Sequence, residues 1–356
     1  MILKKNINKL KRIQTSLNRN LEKGITLDRN EKVDYFSSKI HANVMRSISR
    51  HSLNTTPDIT SLYEKIAKFH GQKKTNIYIA QGITECISQI LFSVVNKNEE
   101  VILLDPTYPM YEVLCKLHDV KYKQWKFNNK FKLDISDLKR LISKKTKVLF
   151  LVNPNLPIEY KFSEEYKKEI YKICKKNKIL IVYDEAYYHF GVSSEIKNIK
   201  RYKNLIVMRT FSKAWGLAGI RLGYMISNQK LCNYISKCRS LVETNALSCQ
   251  IALWALKNKK ILNRHVKEVS MGAKFIKNKF RSNGDIFHGG DWTNAILLKL
   301  PDNNSTKKLT NYLSKKKIYI RNNFTGHVKN YVRISLCAPK KLSIFFKEYL
   351  KWKKNS

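Results

Sequence analysis

One lysine in this chain stands where its amine can do covalent chemistry. Lys213 lies within Thr210-Phe211-Ser212-Lys213-Ala214-Trp215-Gly216-Leu217-Ala218-Gly219-Ile220-Arg221-Leu222-Gly223-Tyr224. A primary amine can form an imine with an aldehyde. The hydroxyls of Thr210 and Ser212 and the guanidinium of Arg221 can hold a phosphate. Gly216, Gly219 and Gly223 permit a tight turn and close backbone approach. With 69 Lys and Arg residues in the chain, a lysine taken at random is surface charge; it is the neighbours that single out Lys213.

Asp184 closes the apolar run Ile179-Leu180-Ile181-Val182-Tyr183. A lysine that forms an imine, a phosphate cup and a buried carboxylate are together what pyridoxal 5'-phosphate (PLP) needs. A carboxylate at the pyridine nitrogen keeps that ring protonated, and Tyr187, three residues on, can donate to its phenolic oxygen. Alone, the pair reads as a helix-capping aspartate and a packing tyrosine. Gln81-Gly82-Ile83-Thr84-Glu85 follows a strand-like run and opens a helical one, so its backbone N–H groups suit a phosphate. Tyr108, in Asp105-Pro106-Thr107-Tyr108-Pro109, can stack on a planar ring or be an ordinary loop tyrosine. Arg333 alternates with apolar residues in Tyr331-Val332-Arg333-Ile334-Ser335 and can hold a carboxylate in a bidentate pair. Its plain alternative is a surface strand arginine. Arg321 is a second candidate for an anionic substrate group.

The elements that must position these groups alternate between the two periodicities. Strand-like runs cover 76–80, 100–105, 120–125, 147–152, 179–183 and 204–209. Helical spacing lies between them at 85–95, 110–117, 135–142 and 164–176. This alternation predicts an α/β fold: a mostly parallel sheet with helices on both faces. Upstream, 1–26 has amphipathic helical spacing (Ile7, Leu10, Ile13, Leu17), 25–36 reads as extended, and 61–70 as helical. A long helical pattern runs from about 255 to Arg281; strands near 295–300, 318–321 and 331–335 and a helix at 342–352 complete a smaller α+β unit. The division expected is an N-terminal arm with part of the small domain over 1–44, a large cofactor-binding domain over 45–254, and a small C-terminal domain over 255–356.

The chain of 356 residues is 43% hydrophobic, enough for a full core. Its apolar runs are strand-length and far below the roughly 20 residues that span a bilayer, so no membrane partner is expected. The basic N-terminus has no apolar signal core, and the expected location is the cytoplasm. Seven scattered cysteines contain no C-x-x-C pair, so neither a metal site nor a disulfide framework is indicated. The net charge of +42 invites a polyanion reading. Lysine is spread along the whole length beside many Asn and Ile residues, the pattern of a compositional bias and not of one basic face. No specific nucleic acid is expected.

Together these segments resemble the fold-type I PLP enzymes, class I/II aminotransferases, and most of all the histidinol-phosphate aminotransferase branch. The resemblance runs from Leu27-Asp28-Arg29-Asn30-Glu31 to Arg333 and is most specific in the Lys213 segment and in Tyr183-Asp184-Glu185-Ala186-Tyr187. It implies a three-layer fold, a large domain plus a smaller one, and a homodimer with shared active sites. It implies Lys213 as Schiff-base lysine, Asp184 at the pyridine nitrogen, Tyr187 at the phenolic oxygen and Tyr108 as the stacking ring. It places the phosphate among Ile83, Thr84, Thr210, Ser212 and Arg221, and a substrate carboxylate or phosphate at Arg333. Two motifs depart from the family. Its Asn-Pro-Asn-Asn-Pro-Thr-Gly turn reads Asn153-Pro154-Asn155-Leu156-Pro157-Ile158-Glu159. Leu156 replaces the asparagine at the phenolic oxygen, leaving Tyr187 there, with Asn155 as a compensating candidate. The family's Tyr-Pro-Asp, whose tyrosine reaches the neighbouring subunit's phosphate, reads Thr56-Pro57-Asp58.

The expected activity is PLP-dependent transfer of an amino group between an amino acid and a phosphorylated or anionic keto or aldehyde acceptor, with Lys213 as general base. Small molecules are the expected partners. The rival within enzymes is a decarboxylase of a phosphorylated amino acid on nearly the same scaffold. The rival of another class is a polyanion-binding protein built on this fold.

Overall fold

The computed structural model describes residues 23–355, with Ile7 and Leu21. The helix expected over 1–26 falls mostly outside the described residues, and its last two positions are strand. In chain order the strands are β1 (Ile25–Thr26), β2 (Ile77–Ala80), β3 (Glu100–Asp105), β4 (Lys121–Lys126), β5 (Thr146–Val152), β6 (Leu180–Asp184), β7 (Leu205–Thr210), β8 (Gly223–Ile226), β9 (Phe287–Gly289), β10 (Ala295–Lys299), β11 (Ile318–Tyr319) and β12 (Tyr331–Ser335).

A seven-stranded sheet in the order β2-β8-β7-β6-β5-β3-β4 forms the centre of the molecule. From β7 to β4 every neighbouring pair is parallel, while β8 runs antiparallel to both β2 and β7. The central strands carry continuous apolar runs because both of their faces are covered: β6 and β7 are buried along their full length. Edge strand β4 instead carries Lys121, Lys123 and Lys126, charges that discourage further pairing. The expected strands and intervening helices agree with the observed ones to within a few residues.

Strand β8 was not anticipated. It follows the Lys213 loop directly and inserts antiparallel, which breaks the strand–helix rhythm. The long helix expected from 255 is two helices, Ala246–Lys257 and Lys260–Ser282. Asn258 ends the first: its side chain and backbone N–H both fold back onto the Trp254 carbonyl, a local competition that favours helix ends. The extended stretch expected over 25–36 is strand only at β1, which pairs parallel with β11.

A three-stranded antiparallel sheet, β12-β10-β9, packs with helices Lys260–Ser282, Asn303–Lys315 and Pro339–Lys354. The segment after β1 runs along this smaller unit, where Ser335 N–H donates to the Leu27 carbonyl at 2.8 Å. Among the described residues, no helix is long and apolar enough to cross a membrane.

Candidate active site

The parallel strands all end on one side of the large sheet, and the candidate residues gather there, as expected of an open α/β sheet. Asp184 is the last residue of β6 and Thr210 the last of β7. The two ends are pinned by a buried ion pair one residue away. The Arg209 guanidinium donates to Glu185 Oε2 at 2.8 Å and lies 3.3 Å over the Tyr188 ring.

Asp184 is 4% exposed. Its Oδ2 accepts from the Tyr111 hydroxyl at 2.9 Å and its Oδ1 from the Ala186 N–H at 3.0 Å. Burial pushes its pKa up to about 6, against the pull of those two hydrogen bonds and of Lys213. A carboxylate held in this way gains from a cationic partner, and a protonated pyridine ring is one. Tyr111 was missed from sequence. The signal was its place three residues after Tyr108, one helical turn on.

Lys213 sits in the loop after β7. Its Nζ donates to the carbonyls of Asn30 at 3.2 Å and Arg29 at 3.4 Å and lies 5.7 Å from the Tyr187 ring centroid. The Tyr187 hydroxyl accepts from Asn30 Nδ2 at 3.1 Å. Lys213 thus lies near the Tyr187 ring and acts electrostatically on Asp184.

The phosphate side is built by backbone shape. Gly82 has φ +84° and precedes helix Ile83–Val94, whose first amides, Ile83 and Thr84, have no intrahelical acceptor. A Cβ on Gly82 would come within 3.2 Å of Arg221 Nη2, and one on Gly223 within 2.7 Å of the Gly82 carbonyl carbon. Two glycines therefore let β8 and the guanidinium close on the helix N-terminus, leaving a cradle for an anion. Arg221 itself takes a left-handed backbone at φ +49°. The Tyr108 hydroxyl lies 3.4 Å from Thr84 Oγ1. Both line an open cleft of about 690 Å³ with Met110, Leu114 and Arg221.

Two of the expected cofactor residues have partners within the protein. Thr210 Oγ1 donates to the Leu222 carbonyl and accepts from Ser212 N–H, so its proton shapes the loop and is not available to a phosphate. Asn155 is fully engaged: Nδ2 donates to the carbonyls of Pro106 and Ile158, and Oδ1 accepts from Thr107. It clamps two turns together and does not stand in for the missing asparagine at 156.

Arg333 on β12 and Arg321 form an isolated antiparallel bridge, which sets their side chains on one face. Arg333 Nη2 donates to the Asp28 carbonyl at 2.9 Å, while its buried Nε has no partner. Burial and the Arg321 charge both push its pKa down, and an anion would relieve both.

The sequence model of the family described as "Aminotransferase class I and II" matches residues 20–345. The chain belongs to the class I and II aminotransferases. It is 30% identical over 321 residues to a histidinol-phosphate aminotransferase of Clostridium kluyveri, covering 89% of each. It is 29% identical to one of Pyrococcus furiosus, covering 88% of this chain and 87% of that one. A histidinol-phosphate aminotransferase structure from Sinorhizobium meliloti, in complex with pyridoxal-5'-phosphate, superposes with a TM-score of 0.84 at 20% identity, over 97% of this chain and 96% of that one. This aminotransferase is a PLP-dependent enzyme, and its donor set fits the group: an amine, a buried carboxylate, and a helix N-terminus with a guanidinium beside it.

Proposed function

We propose that the chain is an aminotransferase of the histidinol-phosphate type, exchanging an amino group between an amino acid and a phosphorylated acceptor. The observation that carries the acceptor class is the Arg321–Arg333 pair. Two guanidiniums on one face, one with an orphaned buried N–H, favour a doubly charged anion such as a phosphate monoester. The names of the relatives at about 30% identity support the same choice.

When bound, PLP supplies an electron-accepting ring that stabilises charge at the substrate's α-carbon. In this reading Asp184 holds a negative charge at the closed end of the pocket and keeps the ring cationic. Tyr187 would donate to the phenolic oxygen, and Tyr108 would cover the ring. Gly82, Ile83, Thr84, Ser212 and Arg221 take the phosphate. Lys213 would hold the cofactor's aldehyde carbon and would move the substrate proton as general base. Its Nζ already faces backbone carbonyls that accept without competing as bases.

The chain divides as 1–44, 45–254 and 255–356, in an arm, a large domain and a small domain. We place it in the cytoplasm, where its seven free cysteines stay reduced. It acts as a homodimer: Leu53 and Leu241 are 82% and 90% exposed, and Thr56, three residues after Leu53, is exposed too, apolar surface that a second copy would cover. Sedimentation at micromolar concentration measures this directly.

A single-turnover screen tests the substrate class. The PLP-loaded enzyme is mixed with histidinol phosphate, glutamate and phosphothreonine, and its visible absorbance is followed. Bleaching by histidinol phosphate and by glutamate, with keto product and no carbon dioxide, supports the reading. Carbon dioxide from phosphothreonine replaces it with the decarboxylase. Borohydride reduction followed by peptide mapping must leave the pyridoxyl group on Lys213.

A further inference from the structure

We propose that Asn30 is a positioning residue of the reaction: its side chain aims the Tyr187 hydroxyl and its carbonyl holds the Lys213 amine. The inference rests on the PLP reading of Lys213 and Tyr187.

Asn30 is 2% exposed and holds φ at +55°. Asparagine enters that left-handed region more readily than most residues, but a buried case needs a fixed environment. Its polar groups all find partners. The N–H donates to Ser335 Oγ at 2.8 Å, and the carbonyl accepts from Asn294 Nδ2 at 3.0 Å and Lys213 Nζ at 3.2 Å. Oδ1 accepts from the Ser335 hydroxyl at 3.3 Å, and Nδ2 donates to the Tyr187 oxygen at 3.1 Å. The side-chain amide thus presents Oδ1 to Ser335 and Nδ2 to Tyr187.

The consequence is directional. An amide N–H cannot accept, so the Tyr187 proton must point away from Asn30. With one lone pair of the phenol oxygen committed, the hydroxyl donates along the directions that remain. Leu156, 6% exposed, brings no hydrogen bond, and Asn155 is spent on Pro106, Ile158 and Thr107. Asn30 therefore sets the aim of the hydroxyl left to tune the cofactor's phenolic oxygen. It also links the two units. Tyr187 and Lys213 follow β6 and β7 of the large sheet, whereas Ser335 ends β12 and Asn294 precedes β10.

Asn30→Gly isolates the side chain. Glycine adopts φ +55° without strain and keeps the carbonyl for Lys213 and Asn294. The readout is a spectrophotometric pH titration of the PLP-loaded enzyme. A less well-aimed donor to the phenolic oxygen leaves the Lys213 nitrogen more basic. The titration midpoint is expected to rise by about one unit, with kcat down about tenfold and KM for the amino donor within about twofold. In a Leu156→Asn background the same substitution is expected to shift the midpoint by less than half as much, because an asparagine there restores a donor. An unmoved midpoint with the pyridoxyl group still mapped to Lys213 overturns the proposal and leaves the aminotransferase reading standing. Absence of that group from Lys213 overturns the reading itself. Should Asn30→Gly fail to fold, Ser335→Ala frees Oδ1 without touching Tyr187. A smaller rise is then expected, and no rise overturns the proposal.

Discussion

The Tyr111 hydroxyl donates to Asp184 Oδ2 at 2.9 Å across a contact from which water is excluded. Tyr111 belongs to helix Met110–Leu117 and Asp184 to the end of β6, so this bond ties a helix on one face of the sheet to the carboxylate at its carboxyl edge. The next side chain along, Glu185, is occupied by Arg209. Two neighbouring carboxylates at the end of β6 thus have separate partners.

Removing that hydroxyl weakens cofactor binding. Tyr111→Phe keeps the ring and leaves Asp184 with only the Ala186 N–H of its two donors. The PLP dissociation constant is expected to rise about tenfold, the equivalent of one hydrogen bond to a charged group. Equilibrium dialysis measures it, and an unchanged constant would mean that the bond does not support the charged carboxylate.

Asp184 gives the cofactor-free protein a distinct pH dependence. Burial raises its pKa from the ordinary aspartate value of 3.8 to about 6 on folding, so the folded state binds the proton more tightly. Its contribution to stability is therefore full below about pH 4 and is lost as the pH rises through about 6. A shift of about two units corresponds to roughly 3 kcal/mol. Urea unfolding at several pH values, compared between the parent and Asp184→Asn, isolates this part. The difference between the two proteins is expected to change across pH 4–6 and to be flat above pH 7.

Arg333→Lys keeps a cation but loses the planar fork. KM for a phosphorylated substrate is expected to rise about 10- to 100-fold, with kcat changing by less than about threefold. Arg321→Ala, whose site is exposed, is expected to raise KM less, by about three- to tenfold. Steady-state kinetics with phosphorylated and unphosphorylated acceptors separates the two, since only the former should respond strongly.

Gly223→Ala tests the cradle. The added methyl would sit 2.7 Å from the Gly82 carbonyl carbon and 2.8 Å from the Ile83 nitrogen, both backbone atoms. The loop must move, at a cost of about 1–3 kcal/mol. The urea midpoint should fall, and PLP affinity should fall further than Tyr111→Phe makes it. A variant with parental stability and affinity would mean that the anion does not rest on this helix N-terminus.

Much of the fold was legible because it is written in short windows. Val148 to Val152 is a strand at sight, and Glu164–Lys176 has the spacing of a half-buried helix with Ser163 as its cap. Lys213, Asp184, Arg221 and Gly82 were legible for a related reason: each sits at a strand end or turn whose residue types are demanded locally. Thr210 and Asn155 were read as donors to a cofactor, and both are spent on their own loops. A side chain's type shows what it can donate, but not where the donation goes.

The residue types of this protein thus determined its strands, its helices and the kind of chemistry it performs, since periodicity and turn chemistry act over a few neighbouring residues. Only the tertiary structure decided which groups serve that chemistry. Asn30 meets Tyr187 across 157 positions and Lys213 across 183, and Tyr111 meets Asp184 across 73. Strand β8 found its antiparallel place because Gly223 could approach Gly82. Such contacts depend on how two distant backbones pack, and no local window holds that information.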